Sequence, residues 1–190
     1  MQITVTPDPA LWVVVPEFPP PGWAREEARS RSVQLDITGP QWRTEFETLL
    51  EGLRRTERTS SLARLLHVGD GARHVFAVDV SLEPTPDDGT KEGRRSTQLA
   101  LLSGLLPGTT AERLRPNRGT AGFWAATGAP SSGGPTRPSA VVVLRKAGLP
   151  IVQVDVIMQV WGAPASEIVP VINHVIDLAD RVGPADAALA

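Results

Sequence analysis

The sequence predicts an α+β domain, an antiparallel β-sheet packed against helices. Three observations lead there. "HVFAVDVSLEP" from His74 and "PIVQVDVIMQVW" from Pro150 alternate hydrocarbon with polar side chains, the period of a strand with one buried face. Around Trp42 and again near the C-terminus, apolar residues recur at helical spacing with a polar back, so each helix needs a surface to lie against. Short Gly-containing turns separate consecutive strand patterns, which favours hairpins and hence antiparallel pairing.

Composition sets the bounds. A chain of 190 residues with 41% hydrophobic and 21% charged residues is long enough for one ordinary domain with a sizeable core. We expect a single domain over residues 1–184 and a frayed tail over 185–190. The net charge of −2 steers the protein toward neither nucleic acid nor anionic lipid. Positive charge rests on arginine, with only Lys91 and Lys146 as lysines, a bias typical of a GC-rich genome. Absence of cysteine excludes disulfides, thiolate metal sites and cysteine nucleophiles. "MQITVTPDPALWVVV" has neither the basic start nor the apolar run of a secretory signal. No stretch approaches the roughly 18 apolar residues of a membrane span. The expected location is the cytoplasm.

Read in order, the chain opens with a short strand at Ile3 and Val5, a Pro7-Asp8-Pro9 turn and a second strand over Trp12 to Val15. Pro16 and the run Pro19 to Pro21 forbid helix and form a stiff connector. A short helix follows from about Trp23 to Arg31. The clearest helix carries Trp42, Phe46, Leu49, Leu50 and Leu53 on one stripe. Thr38 with Gln41 resembles a capping box, and Pro40 suits a first turn. The segment from Ser61 to Pro84 reads as a hairpin about Gly69-Asp70-Gly71. Its register stays open, and a one-residue slip would exchange the faces. "PTPDDGTKEGRR" reads as a polar loop, and Leu99, Leu102, Leu105 and Leu106 as a short helix ended by Pro107-Gly108. Strands are expected at Ala121 to Ala126, Ala140 to Leu144 and Ile151 to Trp161. The Ser-Gly-Pro-rich stretch "APSSGGPTRPS" lies between the first two, and an Ala147-Gly148 turn precedes the third. The last helix carries Ile168, Val171, Ile172, Val175, Ile176, Ala179 and Val182. Pro170 requires that this helix either start there or bend in its first turn.

The chemistry-bearing residues are few. His67 and His74 flank the hairpin turn and are placed near each other across it, while His174 sits beside the apolar stripe of the last helix. No His-x-His or His-Glu-x-x-His pattern supplies a metal site. There is no Gly-x-Ser-x-Gly, and Ser131 and Ser132 lie in the Ser-Gly-Pro stretch, a poor mount for a nucleophile. Phosphate-binding glycine loops are absent. Asp79 and Asp155 stand on strand patterns, where aspartate is disfavoured without a partner; Arg64 and Arg145 are the candidate partners. Neighbouring strands would bring the two carboxylates to one face, the arrangement used for acid–base work. The alternative reading, in which each marks the wet side of a half-buried strand, is preferred because Gln153, Gln159, Ser81 and Glu83 accompany them. Arginines cluster at Arg54, Arg55, Arg58 and Arg64, and again at Arg94, Arg95, Arg113, Arg115 and Arg118. Both groups lack the aromatic interleaving of a nucleic-acid surface. The five tryptophans Trp12, Trp23, Trp42, Trp124 and Trp161 are expected as core or rim anchors, with one or two available to a partner.

The order "HVFAVDVSLEPTPDDG…QLALLSGLLPG…AGFWAATG…AVVVL…IVQVDVIMQV…ASEIVPVINHVIDLADRV" resembles the small actinobacterial proteins of the PsbP-like fold. In those, a strand leads through a Pro-containing loop to a helix ending in Leu-Pro-Gly, and further strands and one terminal helix follow. The resemblance covers about residues 61–182 and rests on element order and short strings. The long Pro-rich lead-in and the Ser-Gly-Pro stretch depart from it. It implies an antiparallel sheet between helices and a non-enzymatic accessory or protein-binding role, and it carries over no functional residue.

The sequence therefore leads to a non-enzymatic accessory or scaffold protein that binds another protein. It has no catalytic, cofactor-binding or metal-binding residues to name. The alternative is a small-ligand-binding protein with a pocket between sheet and helix lined by Phe123, Trp124 and Met158. An enzyme would require Asp79, Asp155 or the hairpin histidines to converge in a cleft.

Overall fold

The computed structural model describes residues 2–57, 61–69, 74–114, 121–127, 138–146 and 153–185. The expected turns at Gly69-Asp70-Gly71 and Ala147-Gly148 lie wholly or partly outside these residues, as do Arg58, Arg115, Arg118, Ser131, Ser132, Ile151, Val152 and most of the tail. The described elements are β1 (Ile3–Val5), β2 (Trp12–Val15), α1 (Trp23–Gln34), α2 (Pro40–Arg55), β3 (Ala63–His67), β4 (Phe76–Pro84), α3 (Lys91–Leu105), β5 (Glu112–Arg113), β6 (Ala121–Ala126), β7 (Ala140–Arg145) and β8 (Val154–Trp161). They close with α4 (Ala165–Ile168), a 3-10 turn over Val169–Val171, α5 (Ile172–Asp177), a 3-10 turn over Leu178–Arg181 and β9 (Val182–Pro184).

The α+β class holds. A seven-stranded antiparallel sheet runs in the order β2-β3-β4-β8-β7-β6-β5, and β1 pairs with β9 in a separate two-stranded sheet. Every pairing in the large sheet is antiparallel. Alternation along each strand sorts its residues between two covered faces. One face carries Leu65, Phe76, Val78, Val80, Val142, Val156, Met158 and Val160, all buried beneath Ile168, Ile172, Val175 and Leu178 of the C-terminal segment. The opposite face divides. Over β2 and β3, Val13, Val15 and Leu66 pack against Ala24, Ala28, Phe46 and Leu50 of α1 and α2. Over β6, β7 and β8, Phe123, Val141, Val143 and Ile157 pack against Leu102 and Leu106.

Several boundaries differ from the sequence expectation. The α1 helix runs to Gln34, three residues beyond the expected end. Gly39 rather than Thr38 occupies the N-cap of α2, with no side-chain cap bond, so the expected capping box is not formed. The α3 helix begins at Lys91, inside the segment read as loop. Thr90 caps it, its hydroxyl accepting from the Gly93 N–H at 2.9 Å, which satisfies one of the orphaned donors of a first turn. Pro170, which lacks an N–H, sits in the 3-10 turn that divides α4 from α5. The last helix is thus broken into short turns rather than continuous. Gly183 and Pro184, which no expected element covered, belong to β9 and pair with Thr4 and Ile3.

Gly122 marks a tight crossing of β6 and β7. A Cβ there would lie 2.2 Å from the Val143 carbonyl oxygen and 2.7 Å from Leu144 Cα. Backbone atoms cannot yield that distance without loss of pairing. On α3, exposed Gly104 has no atom within 4 Å of an added Cβ. We predict opposite signs for the two alanine substitutions in urea unfolding. Gly122→Ala lowers stability by about 1–3 kcal/mol, and Gly104→Ala raises it by about 0.5–1 kcal/mol.

Candidate functional site

Asp79 and Asp155 do lie on one face of the sheet. β4 and β8 are neighbours, with Asp79 opposite Gln159 and Asp155 opposite Glu83. The four-residue offset places the carboxylates about 13 Å apart at the usual strand rise, so they share no reaction centre. Each is instead held by the arginine expected for it.

Arg64 stands directly across the β3–β4 pair from Asp79. Its Nε and Nη2 donate to the two Asp79 oxygens at 2.7 and 2.9 Å. Its remaining donors reach the carbonyls of Leu53, Thr56 and Glu57 at 2.8, 2.9 and 3.2 Å. These carbonyls lie at the C-terminal end of α2, where helical acceptors lose their partners. Arg64 therefore caps α2 and ties it to the sheet, with all five N–H groups engaged. It is buried, unlike the exposed Arg54 and Arg55 with which the sequence clustered it.

Asp155 is 0% exposed, which overturns its reading as the wet side of a strand. α3 covers this end of the face. The carboxylate accepts from Thr85 Oγ1 at 2.6 Å, Gln98 Nε2 at 3.1 Å, and Arg145 Nε and Nη2 at 2.8 and 3.2 Å. Arg145 also donates to Asp87 at 3.0 Å and to the Thr85 carbonyl at 3.1 Å. Its bonds to Asp155, with Asp87 adding, raise the guanidinium pKa further despite burial. This network fastens the β4–α3 loop to β7 and β8. A left-handed Gln153 (φ 56°) completes the attachment: its carbonyl accepts from the Thr85 N–H at 2.7 Å and its side chain donates to the Asp87 carbonyl.

The histidines assemble differently from expectation. His67 lies on the opposite face, between Trp12 and Phe76 across the sheet. Its Nδ1 donates to the His74 backbone carbonyl at 2.7 Å, and its Nε2 meets His174 Nδ1 at 3.0 Å. The ring stacks on Phe76 and takes Trp12 edge-on. His67 and His174 thus join β3 to α5 across 107 residues of sequence, a pairing that no local pattern announces. The His74 ring is not the partner. No group of three or more potential metal ligands occurs among the described residues.

The expected pocket does not form. Phe123 and Trp124 are consecutive strand residues on opposite faces, and Met158 is sealed in the core. A different opening exists on the face that carries the helices α1, α2 and α3, where β4 presents Ala77 and Asp79 beside α2. A groove of about 310 Å³ there is lined by Leu49, Leu53, Leu66, Ala77, Asp79 and Trp161, with Glu57 and Arg64 among its polar residues. Leu49, placed by the sequence on the buried stripe, is 38% exposed and faces this opening. Trp161 also lines it, and its buried indole N–H has no acceptor among the described residues. The other tryptophans meet expectation: Trp12 is core, and Trp23, Trp42 and Trp124 are partly buried anchors.

The two Arg–Asp pairs differ in cover, so they differ in cost when broken. In urea unfolding, Asp155→Asn should lower stability by about 3–5 kcal/mol, as loss of a buried partner does. Asp79→Asn should cost less, because Arg64 keeps three carbonyl acceptors and the Asp79 side chain is 17% exposed. Equal losses would contradict the structural division drawn between them.

Comparison with protein families, curated proteins and solved structures finds no match to this chain.

Proposed function

We propose that this chain is a non-enzymatic accessory or scaffold protein that binds another protein through the groove between α2 and β4. The observation that carries this reading is an apolar opening walled by Leu49, Leu53, Leu66, Ala77 and Trp161, set beside the Arg64–Asp79 pair. A partner that inserts an apolar side chain there gains the burial Leu49 lacks in the free protein, and Trp161 supplies the residue type most enriched at interaction hot spots. Sheet extension is a poorer route for a partner. At one edge Arg31 donates to the Trp12 carbonyl of β2 at 2.7 Å, and at the other β5 has only two residues. Short or covered edges resist added strands.

The PsbP-like likeness belongs to this proposal. Element order, the antiparallel sheet and its helical cover support it. The proposal also includes a cytoplasmic location; no helix among the described residues is long and apolar enough to cross a membrane. A second reading, a small apolar ligand, is favoured by the groove volume, which falls at the lower end of the ~300–1,000 Å³ typical of ligand pockets.

Native purification followed by mass spectrometry, at low and moderate salt, tests the first reading. One stoichiometric protein should co-elute and persist at moderate salt, since an apolar contact is little screened. Leu49→Glu should reduce its recovery at least about tenfold, a hot-spot loss. Val33→Glu, on an exposed site of α1, should not. A chain that elutes alone as a compact monomer would overturn the protein-binding reading and leave the groove to a small ligand.

A further inference from the structure

Between β2 and α1 the chain reads Pro16-Glu17-Phe18-Pro19-Pro20-Pro21-Gly22. Phe18 is 87% exposed. Pro20 and Pro21 are exposed beside it, and Pro19 is half-buried. Phe18, Pro20 and Pro21 thus leave three apolar side chains together at the surface, an arrangement that calls for an explanation. A stiff connector accounts for the prolines. It does not account for the phenylalanine, which the rest of the molecule leaves in water.

The backbone of this run is set by its own sequence. Pro19, Pro20 and Pro21 fix φ near −65°. Phe18, Pro19 and Pro20 each precede a proline, which moves them out of the helical region toward extended or polyproline II geometry. Pro19 and Pro20, between the bend at Phe18 and the turn at Pro21, are thus restricted to extended or polyproline II geometry. Both ends are held. The chain bends at Glu17 and Phe18 and turns again at Pro21 and Gly22. Gly22 takes a left-handed φ of 81°, and the Trp23 N–H donates to the Pro20 carbonyl at 3.1 Å. The bends set Phe18 outward on a mount that loses little freedom when it is bound, the condition under which a short segment binds well.

We propose that Phe18 to Pro21 is a recognition segment for a second protein whose groove is lined by aromatic side chains and takes polyproline II. Partner aromatics pack on the proline rings, and an adjoining apolar pocket takes the Phe18 ring as anchor. Proline-rich segments are read in this way because their bound geometry is already formed. The segment inserts, whereas the α2–β4 groove receives, so this proposal stands apart from the function assigned to that groove.

The test uses the full chain in cells of its own organism, with photoreactive benzoylphenylalanine in place of Phe18. The same residue in place of Val33, itself 77% exposed on α1, is the control. One protein should crosslink from position 18 and not from position 33, and the crosslinked peptide should lie in an aromatic-lined groove. With that protein purified, Phe18→Ala should weaken binding at least about tenfold. Its unfolding midpoint should equal that of the unsubstituted chain, since the lost side chain is in water. Leu49→Glu should bind it normally. No protein captured above the Val33 control, capture of another copy of this chain, a crosslink outside any aromatic groove, or unchanged binding by Phe18→Ala would each overturn the proposal.

Discussion

A sheet covered on both faces leaves helix ends and loop carbonyls away from water, and three arginines, two buried and one partly buried, answer that constraint. Arg31 donates to the Pro9 and Trp12 carbonyls and to Glu27 and Gln34, tying α1 to the turn before β2 and to β2 itself. Arg64 gathers three carbonyls at the end of α2 and the Asp79 carboxylate. Arg145 joins Asp155, Asp87 and Thr85 beneath the loop that enters α3. Each fork spans a carboxylate and backbone oxygens at once, which a lysine ammonium with three donors at a single point cannot do. Genome bias explains an arginine-rich surface; at these positions the geometry itself calls for a guanidinium.

The groove follows from where those ties sit. Arg64 draws the end of α2 onto β3, and the Arg145–Asp155 network draws the start of α3 toward β7 and β8. Beside α2, β4 presents Ala77 and Asp79, side chains too short or too polar to recruit a helix. The opening therefore borders the anchored end of α2, and part of its apolar wall is the α2 stripe that the sheet does not reach. Phe18 is exposed for a related reason. The prolines that carry the chain from the edge strand β2 into α1 stop it from folding back onto the cores on either side.

Much of this architecture was legible because it is local. The alternation at Phe76 to Pro84 and Val154 to Trp161 identified the longest strands, and the Trp42 stripe identified α2. The partners Arg64 and Arg145 were legible too, since an aspartate within a strand demands a cation and few were placed to serve. Burial of Asp155 was hidden because it depends on α3, whose first five residues read as loop; their signal was Thr90 with Gly93 three residues on, a cap without the usual acidic partner. The β1–β9 pairing joins the two ends of the chain, and His67 meets His174 across 107 residues. Neither leaves a periodic trace, because side-chain period reports which face is buried and not what buries it.

Asp79 and Asp155 make that distinction concrete. Both occupy the polar phase of an alternating strand, both lie on one sheet face, and both meet an arginine. Sequence period treats them alike. What separates them is the helix above: α3 shuts Asp155 from water, so its carboxylate needs four donors to be tolerated, whereas the gap beside α2 leaves Asp79 partly wet with two. Polar residues on a sheet face therefore record two different conditions, a network that closes a buried seam and a rim that borders an open one. In this protein the open seam is where apolar surface also remains uncovered, and that coincidence, rather than any carboxylate chemistry, is what directs attention to the α2–β4 groove.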